Sequence, residues 1–121
     1  AAVTAELVGA SNVYSVEYSA DLASEARDRL ASTGYGDLAV RVGDGREGWP
    51  EHAPYDAAYL TCAASAVPDP VVEQVAVGGR VLAPVGTGRQ ELRLGDKDES
   101  GVSWTHEGYV RFVRMRGQSR D

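Results

Sequence analysis

The strongest constraint on the fold is a helix pattern placed between two strand patterns. Val13–Glu17 and Leu38–Val42 are short and rich in β-branched residues, which is typical of strands. Between them, a helix opens at Ser19 or Ala20 and ends before Gly34. Its apolar face, at a spacing of four, consists of Leu22, Ala26 and Leu30. Two strands joined through a helix pair in parallel, so this region predicts a parallel sheet.

The rest of the chain continues the alternation of strands and helices and then ends in two consecutive strands. Ala1–Val8 reads as the last turns of a helix. A buried strand is predicted at Tyr55–Cys62 and a helix at Pro70–Val75. A glycine turn at Gly78-Gly79 and a strand at Arg80–Val85 follow. Arg89–Leu94 and Tyr109–Met115 predict two antiparallel strands joined by a polar loop. We therefore expect one α/β domain, residues 1–121, whose sheet is parallel except at one edge.

Charge and composition exclude several classes of function. The net charge is −6, and an acidic domain lacks the basic face that neutralises phosphates, so we expect no nucleic-acid partner. Membrane association is not expected, because no apolar run approaches the roughly 18 residues of a membrane span. Cys62 is the single cysteine and implies no disulfide, and Ala1–Ala10 does not resemble a signal peptide. A cytoplasmic location is the resulting expectation.

Residues suited to ligand binding follow three of the predicted strands. In open parallel sheets, ligands lie beyond the carboxyl ends of the strands. Glu17 ends the first strand, where an acid accepts hydrogen bonds from a ribose diol, and Asp44, between two glycines, is placed to accept from an adenine amino group. The small side chains of Thr61-Cys62-Ala63-Ala64 leave room for a substrate. Taken singly, each signal has a structural alternative: a helix N-cap, a turn aspartate or simple packing.

Metal binding is not expected. Positions 1, 3, 5, 6 and 12 of a calcium-binding EF-hand loop are matched by Asp96, Asp98, Ser100, Gly101 and Glu107. A true EF-hand lies between helices, whereas this segment lies between two strand patterns, so a solvated hairpin loop is the favoured interpretation. His52 and His106 are far apart in sequence and have no ligand spacing around them.

The order of these motifs resembles the protein-L-isoaspartate O-methyltransferases, specifically their carboxy-terminal part. The most specific stretch runs from Gly43 to Asp56, because general methyltransferases lack its Trp-Pro and Ala-Pro-Tyr-Asp combination. The matching segments cover nearly all of the chain and are Val13-Tyr14-Ser15-Val16-Glu17, Leu22-Ala23, Ala26-Arg27, Gly34-Tyr35, Gly43-Asp44-Gly45, Gly48-Trp49-Pro50, Ala53-Pro54-Tyr55-Asp56, Thr61 to Ala64, Val67-Pro68, Gln74, Gly78-Gly79-Arg80, Pro84-Val85-Gly86, Gln90 and Val110-Arg111-Phe112-Val113.

The resemblance implies a class I methyltransferase fold, Rossmann-like, with S-adenosylmethionine as methyl donor and isoaspartyl residues of damaged proteins as substrate. It places Glu17, Tyr18, Asp44 and Gly45 at the donor, and Thr61, Cys62, Ala63, Ala64, Val85 and Gly86 near the substrate. No side chain is singled out as catalytic. The sequence departs from the family at Cys62, where alanine or glycine is usual, and at Arg114, where proline is usual.

The resemblance also places the family's first strand and glycine-rich loop before Ala1. The strands of Val13–Glu17 and Tyr55–Cys62 would flank that first strand, so we expect them to pair directly, to recruit a second copy, or to leave a marginally stable chain. Two other functions stay open: another S-adenosylmethionine-dependent methyltransferase, or an inactive fragment that serves as an assembly partner.

Overall fold

The computed structural model describes residues 2–112 and residue 115. The chain divides into two compact units, Ala1–Gly45 and Arg46–Asp121, which we name the amino-terminal and carboxy-terminal units. The described strands form two sheets, one in each unit. Direct pairing between the two predicted flanking strands, one of three expected outcomes, is not seen among them.

The amino-terminal unit is a parallel strand pair with two helices. Its elements are α1 (Ala2–Val8), β1 (Tyr14–Glu17), α2 (Ala20–Ser32) and β2 (Ala39–Val42). β1 and β2 pair in parallel from Tyr14↔Ala39 to Glu17↔Val42, which confirms the predicted strand–helix–strand motif. A small core of Ala5, Val13 and Leu38 joins α1 to both strands.

Helix α2 begins and ends where the sequence predicts. The Ser19 hydroxyl accepts from the N–H of Leu22 at 3.3 Å, as an N-cap does, and Gly34 follows the C-cap with φ +93°. The predicted apolar face is only partly right. Ala23 is fully buried, whereas Leu22 is 51% exposed, because the buried stripe is rotated by one residue and continues through Ala26 and Leu30.

The carboxy-terminal unit is a four-stranded sheet in the order β3-β4-β5-β6. Its elements are β3 (Tyr55–Tyr59), α3 (Asp69–Glu73), β4 (Val75–Val85), β5 (Gln90–Asp98) and β6 (Gly101–Val110). β3 and β4 are parallel and β5 and β6 are antiparallel, as the sequence predicts. β4 and β5 are also antiparallel, a pairing that the sequence did not specify. The prediction that β3 is buried is wrong: within the described part of the chain it pairs only with β4, at the edge of the sheet, and three of its five residues are exposed.

Strand β4 is longer than predicted and includes the two glycines that were expected to form a turn. Tyr55 pairs with Val75 and Ala57 with Arg80, so four residues of β4 lie opposite a single residue of β3. Gly78 and Gly79 belong to this bulge rather than to a turn that ends a strand. Helix α3 is correspondingly shorter than predicted, because Val75 already pairs in the sheet.

The final hairpin is also longer than predicted. Residues 95–108, expected to be a polar loop, form the last four residues of β5, a tight turn and the first eight residues of β6. Asp98 shapes that turn, since its Oδ1 accepts from the N–H groups of Ser100 and Gly101 at 2.8 and 3.1 Å. β6 ends at Val110, so the predicted strand end near Met115 is wrong, and residues 113 and 114 lie outside the described part of the chain.

The described helices are short: α2, the longest, has 13 residues. Within the described part of the chain, none is long and apolar enough to span a membrane.

Candidate active site

The four predicted donor-binding residues, which we name the donor-side group, come together in the amino-terminal unit. They are Glu17, Tyr18, Asp44 and Gly45. Because β1 and β2 are parallel and in register at Glu17↔Val42, their carboxyl ends meet at one edge. The N–H of Gly43 donates to the carbonyl oxygen of Glu17 at 2.9 Å, which carries that register one residue beyond β2. The sequence-predicted grouping of Glu17 with Asp44 is therefore what the strand pairing produces.

The carboxylate of Glu17 is not the N-cap of the following helix. That position belongs to Ser19, while Glu17 Oε1 accepts from the Ser19 N–H at 3.2 Å. A carboxylate offers about four acceptor positions on its two oxygens. The half-buried Glu17 therefore keeps acceptor capacity for hydroxyl donors. Tyr18, next in the chain, is 41% exposed, and Asp44 is half-buried between its two glycines.

The predicted substrate-side residues, which we name the acceptor-side group, come together in the carboxy-terminal unit. They are Thr61, Cys62, Ala63, Ala64, Val85 and Gly86. Ala64 forms a parallel bridge with Val85, and the N–H of Gly86 donates to the carbonyl oxygen of Ala64 at 2.8 Å. This group thus lies at the carboxyl ends of β3 and β4, where the parallel arrangement predicts a site.

Burial divides the acceptor-side group into a floor and a rim. Ala63, Ala64 and Val85 are buried and support the backbone. Thr61 is exposed, and Cys62 and Gly86 are partly exposed, so these three are accessible to a ligand. Their side chains offer a hydroxyl, a thiol and a hydrogen atom, and none of the three is a strong general base near neutral pH. The arrangement is suited to holding a substrate rather than to moving its protons.

The backbone at Gly86 requires glycine. Its φ is +139°, and a β-carbon there would lie 2.5 Å from the carbonyl oxygen of Arg89. Both observations exclude an unstrained side chain. The close approach folds the turn between β4 and β5 back against the acceptor-side group.

Two glutamines that hold loops of the carboxy-terminal unit were not predicted to be functional. The amide of Gln90 bonds twice to the backbone of Phe112, through Nε2 at 3.0 Å and Oε1 at 2.6 Å. Gln74 Oε1 accepts from the Trp49 N–H at 2.8 Å, and its Nε2 donates to the Glu47 carbonyl oxygen at 2.9 Å. Both residues belong to the family-like pattern, but sequence alone gives no partner for either amide.

A charged cluster lies on β5 and β6. Glu91 bonds to Arg93 at 2.7 Å and to His106 Nδ1 at 3.1 Å. The hydrogen bond from Arg93 is the largest contribution and lowers the pKa of Glu91. Burial opposes it, and the charge of Arg93 and the contact with His106 lower the pKa further. Arg89 stacks over the Tyr109 ring, with Cζ 3.6 Å from the centroid. Across the described residues, no three His, Cys, Asp or Glu side chains are grouped as a metal site.

The structure combines parallel strand pairs, candidate ligand groups at their carboxyl ends and a final antiparallel hairpin, which is an α/β arrangement of the Rossmann-like class. Residues 1–120 match the family model described as "Protein-L-isoaspartate(D-aspartate) O-methyltransferase (PCMT)", and the chain belongs to this family. The predicted family and fold class are confirmed.

Curated relatives carry the same name. The chain is 48% identical over 120 residues to protein-L-isoaspartate O-methyltransferase 2 of Archaeoglobus fulgidus, covering 98% of this chain and 55% of the relative. It is 42% identical to the protein-L-isoaspartate O-methyltransferase of a Picosynechococcus species, covering 98% of this chain and 53% of the relative. The chain thus spans about half the length of the curated relatives it matches.

Solved structures share the fold. A protein-L-isoaspartate O-methyltransferase matches with a TM-score of 0.82 and 30% identity, covering 87% of this chain and 34% of that one. A putative Plasmodium falciparum protein-L-isoaspartate O-methyltransferase, solved in complex with S-adenosyl-L-homocysteine, matches with a TM-score of 0.76 and 18% identity, covering 86% of this chain and 52% of that one.

Proposed function

We propose that these 121 residues form part of a single methyltransferase domain that repairs damaged proteins, transferring a methyl group from S-adenosylmethionine to the carboxylate of L-isoaspartyl residues. The observation that carries the proposal is the meeting of Glu17 and Asp44 at the carboxyl ends of a parallel strand pair, in a chain of this family. The acceptor-side group supports it from the carboxy-terminal unit, with small residues at the equivalent strand ends.

The donor-side group fits S-adenosylmethionine by its chemistry. Glu17 uses one oxygen for the Ser19 N–H and retains acceptor capacity for the two ribose hydroxyls. Asp44 and Gly45 would hold the adenine, with the aspartate accepting from its amino group, and Tyr18 offers an exposed ring beside it. When bound, this donor supplies an activated methyl group on a sulfonium sulfur.

The reaction does not require a side chain that acts as a general acid or base. An isoaspartyl carboxylate has a pKa of about 4, so it is ionised near neutral pH and attacks the methyl carbon directly. The carbon–sulfur bond breaks as the carbon–oxygen bond forms, and no proton moves. The acceptor-side group then contributes alignment, and proximity and orientation supply up to about 7–11 kcal/mol of a barrier. Thr61, Cys62 and Gly86 are the accessible members of that group.

The proposed partners are proteins or peptides that carry isoaspartyl residues. The acidic charge argues against nucleic acid, and we propose a cytoplasmic enzyme with no membrane partner. Self-association is proposed through strand edges, because among the described strands β3 pairs only with β4 and β1 pairs only with β2.

Activity is best tested on an extended chain, in which the amino-terminal part of the Archaeoglobus fulgidus relative is joined to Ala1. Transfer of labelled methyl to an isoaspartyl peptide is compared with transfer to its aspartyl isomer. We expect methylation of the isoaspartyl peptide and almost none of its isomer. Equal rates on both, or activity only on an unrelated acceptor, would identify another methyltransferase and refute the proposal.

The 121-residue chain alone is expected to bind S-adenosylmethionine feebly or not at all. By resemblance, the donor-binding glycine loop belongs to the segment that the extended chain restores, so the donor-side group holds only one side of the ligand. Calorimetric titration of both chains measures the difference. Micromolar binding to the 121-residue chain, near one donor per chain, would contradict this expectation.

A further inference from the structure

Among the described residues, Gln90 is the one polar residue that is buried, with 7% of its surface exposed. Its amide engages Phe112 with both atoms: Nε2 donates to the carbonyl oxygen, and Oε1 accepts from the N–H. Gln90 pairs across the hairpin with Val110, the last residue of β6. The side chain therefore binds the backbone just beyond the end of that strand, as a neighbouring strand would.

The backbone that Gln90 holds leads to the acceptor-side group. Met115 is buried, and its N–H donates to the carbonyl oxygen of Ala63 at 2.7 Å. The carbonyl oxygen of Met115 accepts from Arg46 Nη2 at 3.2 Å. Met115 lies three residues after Phe112, a reach of at most about 10 Å. Fixing Phe112 therefore restricts where Met115 meets Ala63.

We propose that Gln90 is a positioning residue for the acceptor. It anchors Phe112, and through it the contact of Met115 with Ala63, so that the acceptor-side group keeps one shape. The donor-side group belongs to the other unit and is not held by this amide. This inference rests on the proposed function, and it assigns Gln90 to acceptor binding rather than to donor binding or to chemistry.

Two substitutions separate the hydrogen bonds from the volume of the side chain. Gln90→Met keeps the length and removes both bonds. Gln90→Glu, when ionised, accepts from the Phe112 N–H but opposes the Phe112 carbonyl oxygen; when protonated, it again donates and accepts. In the Gln90→Glu variant, the protection of the Met115 amide should therefore recover as the pH falls through the pKa of the new carboxyl. In the Gln90→Met variant it should not.

The first measurement is amide hydrogen exchange of Met115 in the 121-residue chain, by NMR. In Gln90→Met, we expect its protection factor to fall about ten- to thirty-fold more than that of Val81, the change expected from two lost hydrogen bonds. Val81, buried in β4, reports global unfolding. An equal fall at both amides, or an unchanged Met115, would overturn the anchoring role.

The second measurement uses the extended chain. Gln90→Met should raise the KM for the isoaspartyl peptide about tenfold and leave the KM for S-adenosylmethionine unchanged. A loss shared equally between the two substrates would show a merely structural residue. If the extended chain with Gln90 methylates nothing, the proposed function fails, and the Met115 exchange still decides the anchor.

Discussion

Replacing Gly86 by alanine tests the geometry of the acceptor-side group, because two independent features of the structure oppose a β-carbon there. The φ of +139° costs a residue with a side chain about 1–3 kcal/mol. The new carbon would also lie 2.5 Å from the Arg89 carbonyl oxygen, where ordinary contact begins at 3.4 Å. Forcing the turn apart adds about 1–3 kcal/mol.

The two contributions predict that Gly86→Ala lowers the free energy of unfolding by about 2–6 kcal/mol. A domain of this size is stabilised by about 5–15 kcal/mol, so the loss is a large share of the total. Gly88→Ala is the matched control, since Gly88 lies in the same turn, has no atom within 4 Å of an added β-carbon and does not adopt positive φ. Its effect should stay within about 1 kcal/mol and be neutral or stabilising.

Urea unfolding followed by tryptophan fluorescence measures both variants. Trp49 and Trp104 both belong to the carboxy-terminal unit, so the signal reports the unit that contains the turn. With a slope of about 2 kcal/mol per molar urea, Gly86→Ala should lower the midpoint by about 1–3 M. Equal midpoints for the two alanine variants would refute the backbone geometry assigned to Gly86.

Three further outcomes are expected. In the extended chain, Glu17→Ala and Asp44→Ala should each weaken S-adenosylmethionine binding about ten- to hundredfold, measured by calorimetry. Unchanged affinity in both variants would show that the donor site is assigned to the wrong residues. Lys97→Met should lower the free energy of unfolding in urea by about 1–3 kcal/mol, because the ammonium donates to the carbonyl oxygens of Val72 in α3 and Val75 at the start of β4. The pKa of Glu91 is lowered in the folded state, so Glu91 contributes stability that is lost as the pH falls through that pKa. Arg93→Gln should raise the pKa of Glu91, measured by NMR, and make the loss of stability at low pH smaller.

The strand–helix–strand motif of the amino-terminal unit was predictable because its signals are local. Ser19 caps the helix, Gly34 ends it, and the β-branched residues on either side form the strands. The parallel pairing then brings Glu17 towards Asp44 with no further information. The acceptor-side group follows the same logic, since the bridge of Ala64 with Val85 joins two strand ends.

Burial and the extent of the hairpin were not predictable, because they depend on which neighbours a strand has. The apolar pattern of β3 is the same whether one or two strands flank it, and of the strands that the structure describes only β4 flanks it. In the hairpin, most of β6 is exposed to solvent and therefore has the composition of a loop. Its register with β5 makes it a strand, and register is set by long-range pairing rather than by composition.

The two glutamines that hold loops of the carboxy-terminal unit were not predictable for the same reason, and their chemistry agrees with the proposed reaction. Gln74 fixes the Trp49 loop and Gln90 fixes Phe112, each through a neutral amide that bonds twice to the backbone. An amide does not titrate near neutral pH, so these contacts are independent of the protonation of the protein. A transfer to an already ionised carboxylate needs alignment, and a displacement of about 1 Å can cost about a hundredfold in rate. Such a reaction is served better by rigid, uncharged anchors than by acids or bases placed at the reacting atoms.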